Sequence, residues 1–87
     1  MNSGENMNAG IIEIDVHGMN QFQARTRIDA ALKKASSATY MIRIIHGYHG
    51  GTALKDMIRK TYRKHPLVKR VELSMNPGIT ELILRDF

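Results

Sequence analysis

Tyr40-Met-Ile-Arg-Ile-Ile-His-Gly-Tyr-His-Gly-Gly-Thr-Ala-Leu-Lys-Asp-Met-Ile58 is the stretch from which the fold is read. Met41 to Ile45 is apolar and rich in β-branched residues apart from Arg43, which suits a buried or half-buried strand. His46-Gly47-Tyr48-His49-Gly50-Gly51 cannot continue it. Three glycines in six residues allow positive φ and a close approach of backbone to a ligand. Thr52 is a good N-cap, and beyond it Leu54, Met57, Ile58 and Tyr62 recur at helical spacing. Strand, glycine loop and helix follow one another. A glycine loop feeding a helix N-terminus offers backbone N–H groups and the positive end of a dipole, an arrangement suited to phosphate. An ordinary strand-to-helix turn also uses glycine, so both readings stand at this point.

Upstream, Ile11-Ile-Glu-Ile-Asp-Val-His17 alternates: Ile12, Ile14 and Val16 point one way, Glu13, Asp15 and His17 the other. This predicts a strand with one face on the core, stopped by Gly18. Asn20 is a plausible N-cap with Gln23 at the capping-box position. The helix that follows is expected to bury Phe22, Ala24, Ile28, Ala31, Leu32 and Ala35, and to end at Ser36-Ser37 with Lys33 and Lys34 in its last turn. Strand, helix and strand in this order imply parallel neighbours joined by a right-handed crossover.

Downstream, the second helix is expected from about Ala53 to Lys64, because Pro66 disfavours helix at His65. Val68 to Ser74 reads as a strand with Val71 and Leu73 inward. Asn76-Pro77-Gly78 is a tight turn into a last strand, Ile79 to Leu84, so that this pair forms an antiparallel hairpin. Residues 1–10, polar and small, read as a disordered tail, and residues 11–87 as one domain. The order β-α-β-α-β-β predicts an α+β two-layer sandwich. Its helices would cover one face of a four-stranded mixed sheet and leave the other partly open.

A chain of 87 residues with 43% hydrophobic residues supports one modest core. With 0 Cys it has neither a disulfide framework nor a thiolate metal site. No segment is long enough to span a bilayer, and a cytoplasmic protein is expected. The net charge of +5 is unevenly placed. From Lys55 to Arg70 the basic residues are Lys55, Arg59, Lys60, Arg63, Lys64, Lys69 and Arg70, against Asp56 alone. Lys55, Arg59 and Arg63 recur every fourth residue and form a stripe flanked by Lys60 and Lys64. Such a patch suits a polyanion, nucleic acid ahead of membrane. A solvated helix face or an acidic protein partner would use the same residues.

Neighbouring parallel strands that end at His17-Gly18 and His46-Gly47 bring Asp15, His17, His46 and the glycine loop toward one rim, where ligands favour open α/β sheets. A histidine, a carboxylate to orient it and a phosphate-binding loop are parts for phosphodiester cleavage. With RNA the nucleophile can be the adjacent 2′-hydroxyl, and no metal is then required. Two other readings stay open. The histidines can be strand-end residues bonded to backbone. Asp15, His17, His46 and His49 can also ligate a divalent metal, although tight His-x-x-x-His spacing is absent, and no metal ligands are assigned. No nucleophile-elbow signature is present.

Two segments together resemble a known family. Ile14-Asp15-Val16-His17-Gly18 is similar to the L-D-L-H-G motif of the small MutS-related (Smr) domain, and Ile45 to Leu54 to its H-G-x-G-x-G loop and following helix. Asn76 to Leu82 resembles the closing G-x-T hairpin. The resemblance covers roughly Ile11 to Leu84. It implies a fold like the C-terminal domain of bacterial translation initiation factor three, nucleic-acid binding, and in several members endonuclease activity on DNA or RNA. Some ribosome-associated members cut mRNA. By position it assigns Asp15, His17 and His46 as catalytic. Gly47 matches the family's His-Gly by position, and the glycine loop and basic helix stripe add Gly50, Gly51, Thr52, Lys55, Arg59, Arg63 and Lys64 as residues expected to bind phosphate or nucleic acid. The middle loop glycine is His49 here, where a side chain narrows the phosphate approach unless Gly50 takes over. The expectation is a stand-alone Smr domain, cleaving nucleic acid or binding it without cleavage.

Overall fold

The computed structural model of the chain describes residues 5–8, 10–47 and 52–86. Its elements are β1 (Glu5–Asn8), β2 (Ile11–Asp15), α1 (Gln21–Lys34), β3 (Met41–Ile45), α2 (Ala53–Tyr62), β4 (Arg70–Leu73) and β5 (Ile79–Ile83). The β-α-β-α-β-β order and the four-stranded mixed sheet of β2 to β5 are present, and β1 adds an edge strand upstream. The spatial order is β1-β2-β3-β5-β4. β2 and β3 are parallel, β5 is antiparallel to both β3 and β4, and β1 is antiparallel to β2.

The strand register explains the core. One row across the sheet is Ile12, Ile42, Leu82 and Val71, and the next is Ile14, Ile44, Thr80 and Leu73. α1 and α2 pack over this face, and Ile12, Ile14, Ile42, Ile44 and Leu82 are at most 1% exposed. From α1 come Ala24, Ile28, Ala31 and Leu32, and from α2 Ile58 and Tyr62. The Tyr62 hydroxyl donates to the Asp29 carboxylate at 2.7 Å and ties the two helices together. Burial, with the Asp29 carboxylate adding to it, pushes its pKa well above the ordinary phenol value. The opposite face carries the row Glu13, Arg43 and Glu81, in which Arg43 lies 3.7 Å from Glu13 and 3.2 Å from Glu81.

Local signals place the connections. Asn20 accepts from the Gln23 amide at 2.8 Å while Gln23 Oε1 accepts from the Asn20 amide at 3.1 Å, a complete capping box. The second helix stops at Tyr62, two residues before the expected Lys64. Thr52 occupies the N-cap position, but its hydroxyl donates to Asp56 Oδ2 at 2.9 Å rather than capping a backbone amide.

Three expectations are corrected. The stretch read as a disordered tail contains β1, which pairs with β2 through Glu5↔Ile14 to Asn8↔Ile11. Its asparagines hide the strand in a composition scale, yet the free edge of β2 supplies a ladder to pair with. Gly10 turns the chain between them at φ +87, and an added Cβ there would sit 2.8 Å from the Ala38 carbonyl oxygen. Phe22 is not buried but 77% exposed. It precedes Ala24 by two residues, about 200° around the helix from the core stripe. Leu73, expected inward, is 64% exposed, because β4 is the outermost strand and α2 packs over β5.

Candidate active site

β2 and β3 pair Asp15 with Ile45, and the Val16 amide donates to the Ile45 carbonyl at 2.8 Å. One step further, this register sets His17 beside Gly47. A Cβ added to Gly47 would lie 3.5 Å from the His17 Cβ. Val16, His17, Gly18 and Met19 form a turn closed by the Met19 amide donating to the Val16 carbonyl at 3.1 Å. Gly18 takes φ +78 in its third position, where a type II turn requires a positive value. The turn lifts His17 out of the sheet, so that its side chain is 69% exposed.

Asp15 holds that ring. Its Oδ1 lies 2.5 Å from His17 Nδ1 and accepts the His17 amide at 3.0 Å. The carboxylate is an acceptor, so Nδ1 carries the hydrogen and Nε2 is the nitrogen directed away from the pair. Partial burial pulls the Asp15 pKa up. The His17 side-chain and backbone hydrogen bonds, with the positive charge of His17 and Arg27, outweigh it and keep Asp15 below its ordinary 3.8.

His46 is placed differently. Ile42, Ile44 and His46 share the core-facing parity of β3, and His46 is only 5% exposed. Its Nδ1 donates to the Gly47 carbonyl at 2.8 Å, and Nε2 lies 2.9 Å from the Thr80 hydroxyl, which donates to the neutral ring. Arg59 Nε donates to the same Thr80 oxygen at 3.3 Å. Burial lowers the His46 pKa. The Gly47 hydrogen bond opposes this, and the nearby charges of Arg59 and Lys55 add to it; the result lies below 6.5. Asp15, His17 and His46 were expected to converge on one rim beside the glycine loop. The backbones of the two strand ends converge, but the His46 ring points into the core layer while His17 and Asp15 form an exposed pair.

His46 and Gly47, where the chain leaves β3, are held by the β4–β5 hairpin. The Gly78 carbonyl accepts the His46 amide at 2.9 Å and the Gly47 amide at 3.0 Å. Asn76 Oδ1 in turn accepts the Gly78 amide at 2.8 Å. Gly47 holds φ +77 where the chain leaves the strand. Gly50 and Gly51, with His49, lie outside the described residues. Lys55 and Arg59 are close enough to His46 to act on its charge, whereas Arg63 caps the far end of α2 and Lys64 follows it. Thr80 was not among the residues singled out as functional, although the Gly78-x-Thr80 spacing was the signal for it. Among the described residues no three His, Cys, Asp or Glu side chains stand together to hold a metal ion, and no helix is long and apolar enough to cross a membrane.

Among curated proteins nothing matches. The crystal structure of the Smr domain of Thermus thermophilus MutS2 superposes with a TM-score of 0.75 at 27% identity, covering 84% of this chain and 96% of that one. The family model described as Smr domain matches residues 14–77, from just before the Asp-x-His motif to the turn between β4 and β5. With most of its length inside that match, this chain belongs to the Smr domain family.

Proposed function

We propose that this domain binds RNA and cleaves its phosphodiester backbone, with His17 as the proton-transfer group and Asp15 as its orienting partner. Smr domains are known as nucleic-acid-binding, nuclease-like modules. The observation that carries the reading is the 2.5 Å contact between Asp15 Oδ1 and His17 Nδ1 on an otherwise exposed ring. In this arrangement the carboxylate fixes one tautomer and leaves Nε2 to take a proton. His17 Nε2 removes the proton of a ribose 2′-hydroxyl, the 2′-oxygen bonds to the adjacent phosphorus, and the bond to the 5′-oxygen breaks. The departing oxygen takes a proton from water. The strand leaves with a 2′,3′-cyclic phosphate on one fragment and a 5′-hydroxyl on the other.

In this reading Lys55 and Arg59 hold the phosphate backbone near the loop, with Arg63 and Lys64 extending the contact along α2. His46 is a positioning residue. With Thr80 and Gly78 it fixes Gly47, whose missing side chain leaves room beside His17. The test is cleavage of a single-stranded RNA compared with the same strand carrying one 2′-deoxynucleotide at the scissile position. Cleavage lost at that position alone supports the 2′-hydroxyl as nucleophile. Equal cleavage of both strands removes that role. Binding without scission by a protein that retains its fold would favour a non-catalytic binding module on the same surface.

A further inference from the structure

Beside His17 a groove of about 690 Å³ runs along α1, lined among others by Met19, Phe22, Arg27, Ala30 and Lys34. Phe22 lines it and is 77% exposed, in the first turn of α1 just after the turn that presents His17. Leu67, Leu73 and Met75 are exposed as well, but none of them lines this groove. Met19 and Ala30 give it apolar surface, and Arg27 and Lys34 bring positive charge along its length. Arg27 is close enough to Asp15 to stabilise its carboxylate. His17 itself lines the groove, which is therefore continuous with the Asp15–His17 pair.

We propose that this groove receives an unpaired nucleobase, which stacks on Phe22, so that the domain selects single-stranded nucleic acid. The inference rests on the nucleic-acid reading of the site and adds the structural class of the substrate. An aromatic face accepts any base, because every base has a π-face, and stacking is available only to a base not already covered by its neighbours. A base held at Phe22 places its own backbone at the start of α1, beside the exposed imidazole. A paired base inside a duplex cannot reach the ring without leaving its stack.

The test compares binding of the domain to an intact single strand, to the same strand with abasic sites, and to a duplex of the same sequence. The wild-type protein should prefer the intact strand over the abasic one by about tenfold to a hundredfold, the range of one base–aromatic stack. Phe22→Ala should remove that preference and leave affinity for the abasic strand unchanged, and Phe22→Tyr should restore it. The chain contains no Trp, so Phe22→Trp supplies a single indole. Its emission should be quenched by the intact strand and not by the abasic one. Equal wild-type affinity for intact and abasic strands, or a preference that survives Phe22→Ala, overturns the inference while leaving the nucleic-acid reading in place. A wild-type protein that binds none of the three strands removes both. A change in sedimentation, with no change in strand preference, would assign Phe22 to self-association and overturn the inference as well.

Discussion

His17 and His46 end neighbouring parallel strands, each followed by a glycine at positive φ, yet they occupy opposite environments. His17 has a side chain 69% exposed and one carboxylate partner. His46 is 5% exposed and has both ring nitrogens engaged. The difference is one of strand parity. Asp15 pairs with Ile45, so Val16 and His46 share the core side, and the turn at Gly18 carries His17 outward. The same residue type at the ends of neighbouring strands is thus an exposed ring held by one carboxylate in the first and a buried ring pinned at both nitrogens in the second. Exposure and partners separate the roles; the motif does not.

The sharpest way to break the contrast is to delete each ring in turn. His17→Ala should lower RNA cleavage by about 10²–10⁴-fold, the usual share of a general acid–base group, with stability changed by less than about 0.5 kcal/mol. Comparison of single-turnover rates with urea midpoints checks both halves. His46→Ala should do the reverse in kind. It leaves the Thr80 hydroxyl and the Gly47 carbonyl without their ring partner and opens a cavity, at about 2–4 kcal/mol of unfolding free energy. Its cleavage, measured well below the new midpoint, should fall less than that of His17→Ala.

Smaller changes sharpen the same contrast. Thr80→Val keeps the shape and removes the hydroxyl that bridges His46 and Arg59, so it should destabilise the fold by about 1–3 kcal/mol in urea unfolding. Asp15→Asn allows the amide to donate to Nδ1 and turn the imidazole into the other tautomer. Cleavage should fall by on the order of tenfold, less than for a buried orienting carboxylate, and without a stability change beyond about 0.5 kcal/mol. The smallest effect is on pH dependence. The folded-state pKa of His46 lies below the ordinary 6.5, so below that pH the unfolded chain binds a proton that the folded one refuses. Its contribution to stability is fully present above 6.5 and is lost as the pH falls toward the lowered value. Urea midpoints should decline across that window, and His46→Ala should flatten the decline. Asp15 contributes to a separate and more acid window. Its pKa is held below 3.8, so its contribution is lost only as the pH falls through that lower range.

Much of this frame was legible from residue patterns. Alternation along residues 11–17 identified Ile12, Ile14 and Val16 as core, and all three are at most 1% exposed. Asn20 and Gln23 announced their capping box by spacing alone. The parity of His46 was equally within reach, since Ile42, Ile44 and His46 follow one alternation. A rim shared by two strand ends still has two faces, and only the pairing of Asp15 with Ile45 shows which one His46 takes. Thr80 was hidden for a related reason: its role depends on the pairing Ile44↔Thr80, which joins residues distant in sequence. β1 escaped because its polar residues carry no hydrophobic period, and pairing is what makes it a strand. Phe22 is hydrophobic, but its helical angle, about 200° from Ala24, turns it away from the core and toward the groove.

The most direct test is the single-turnover cleavage rate of folded His17→Ala beside that of folded His46→Ala on one single-stranded RNA. The account predicts cleavage nearly abolished in the first and retained, on a weakened fold, in the second. Wild-type cleavage by His17→Ala, or its disappearance only in a fully folded His46→Ala, would contradict it.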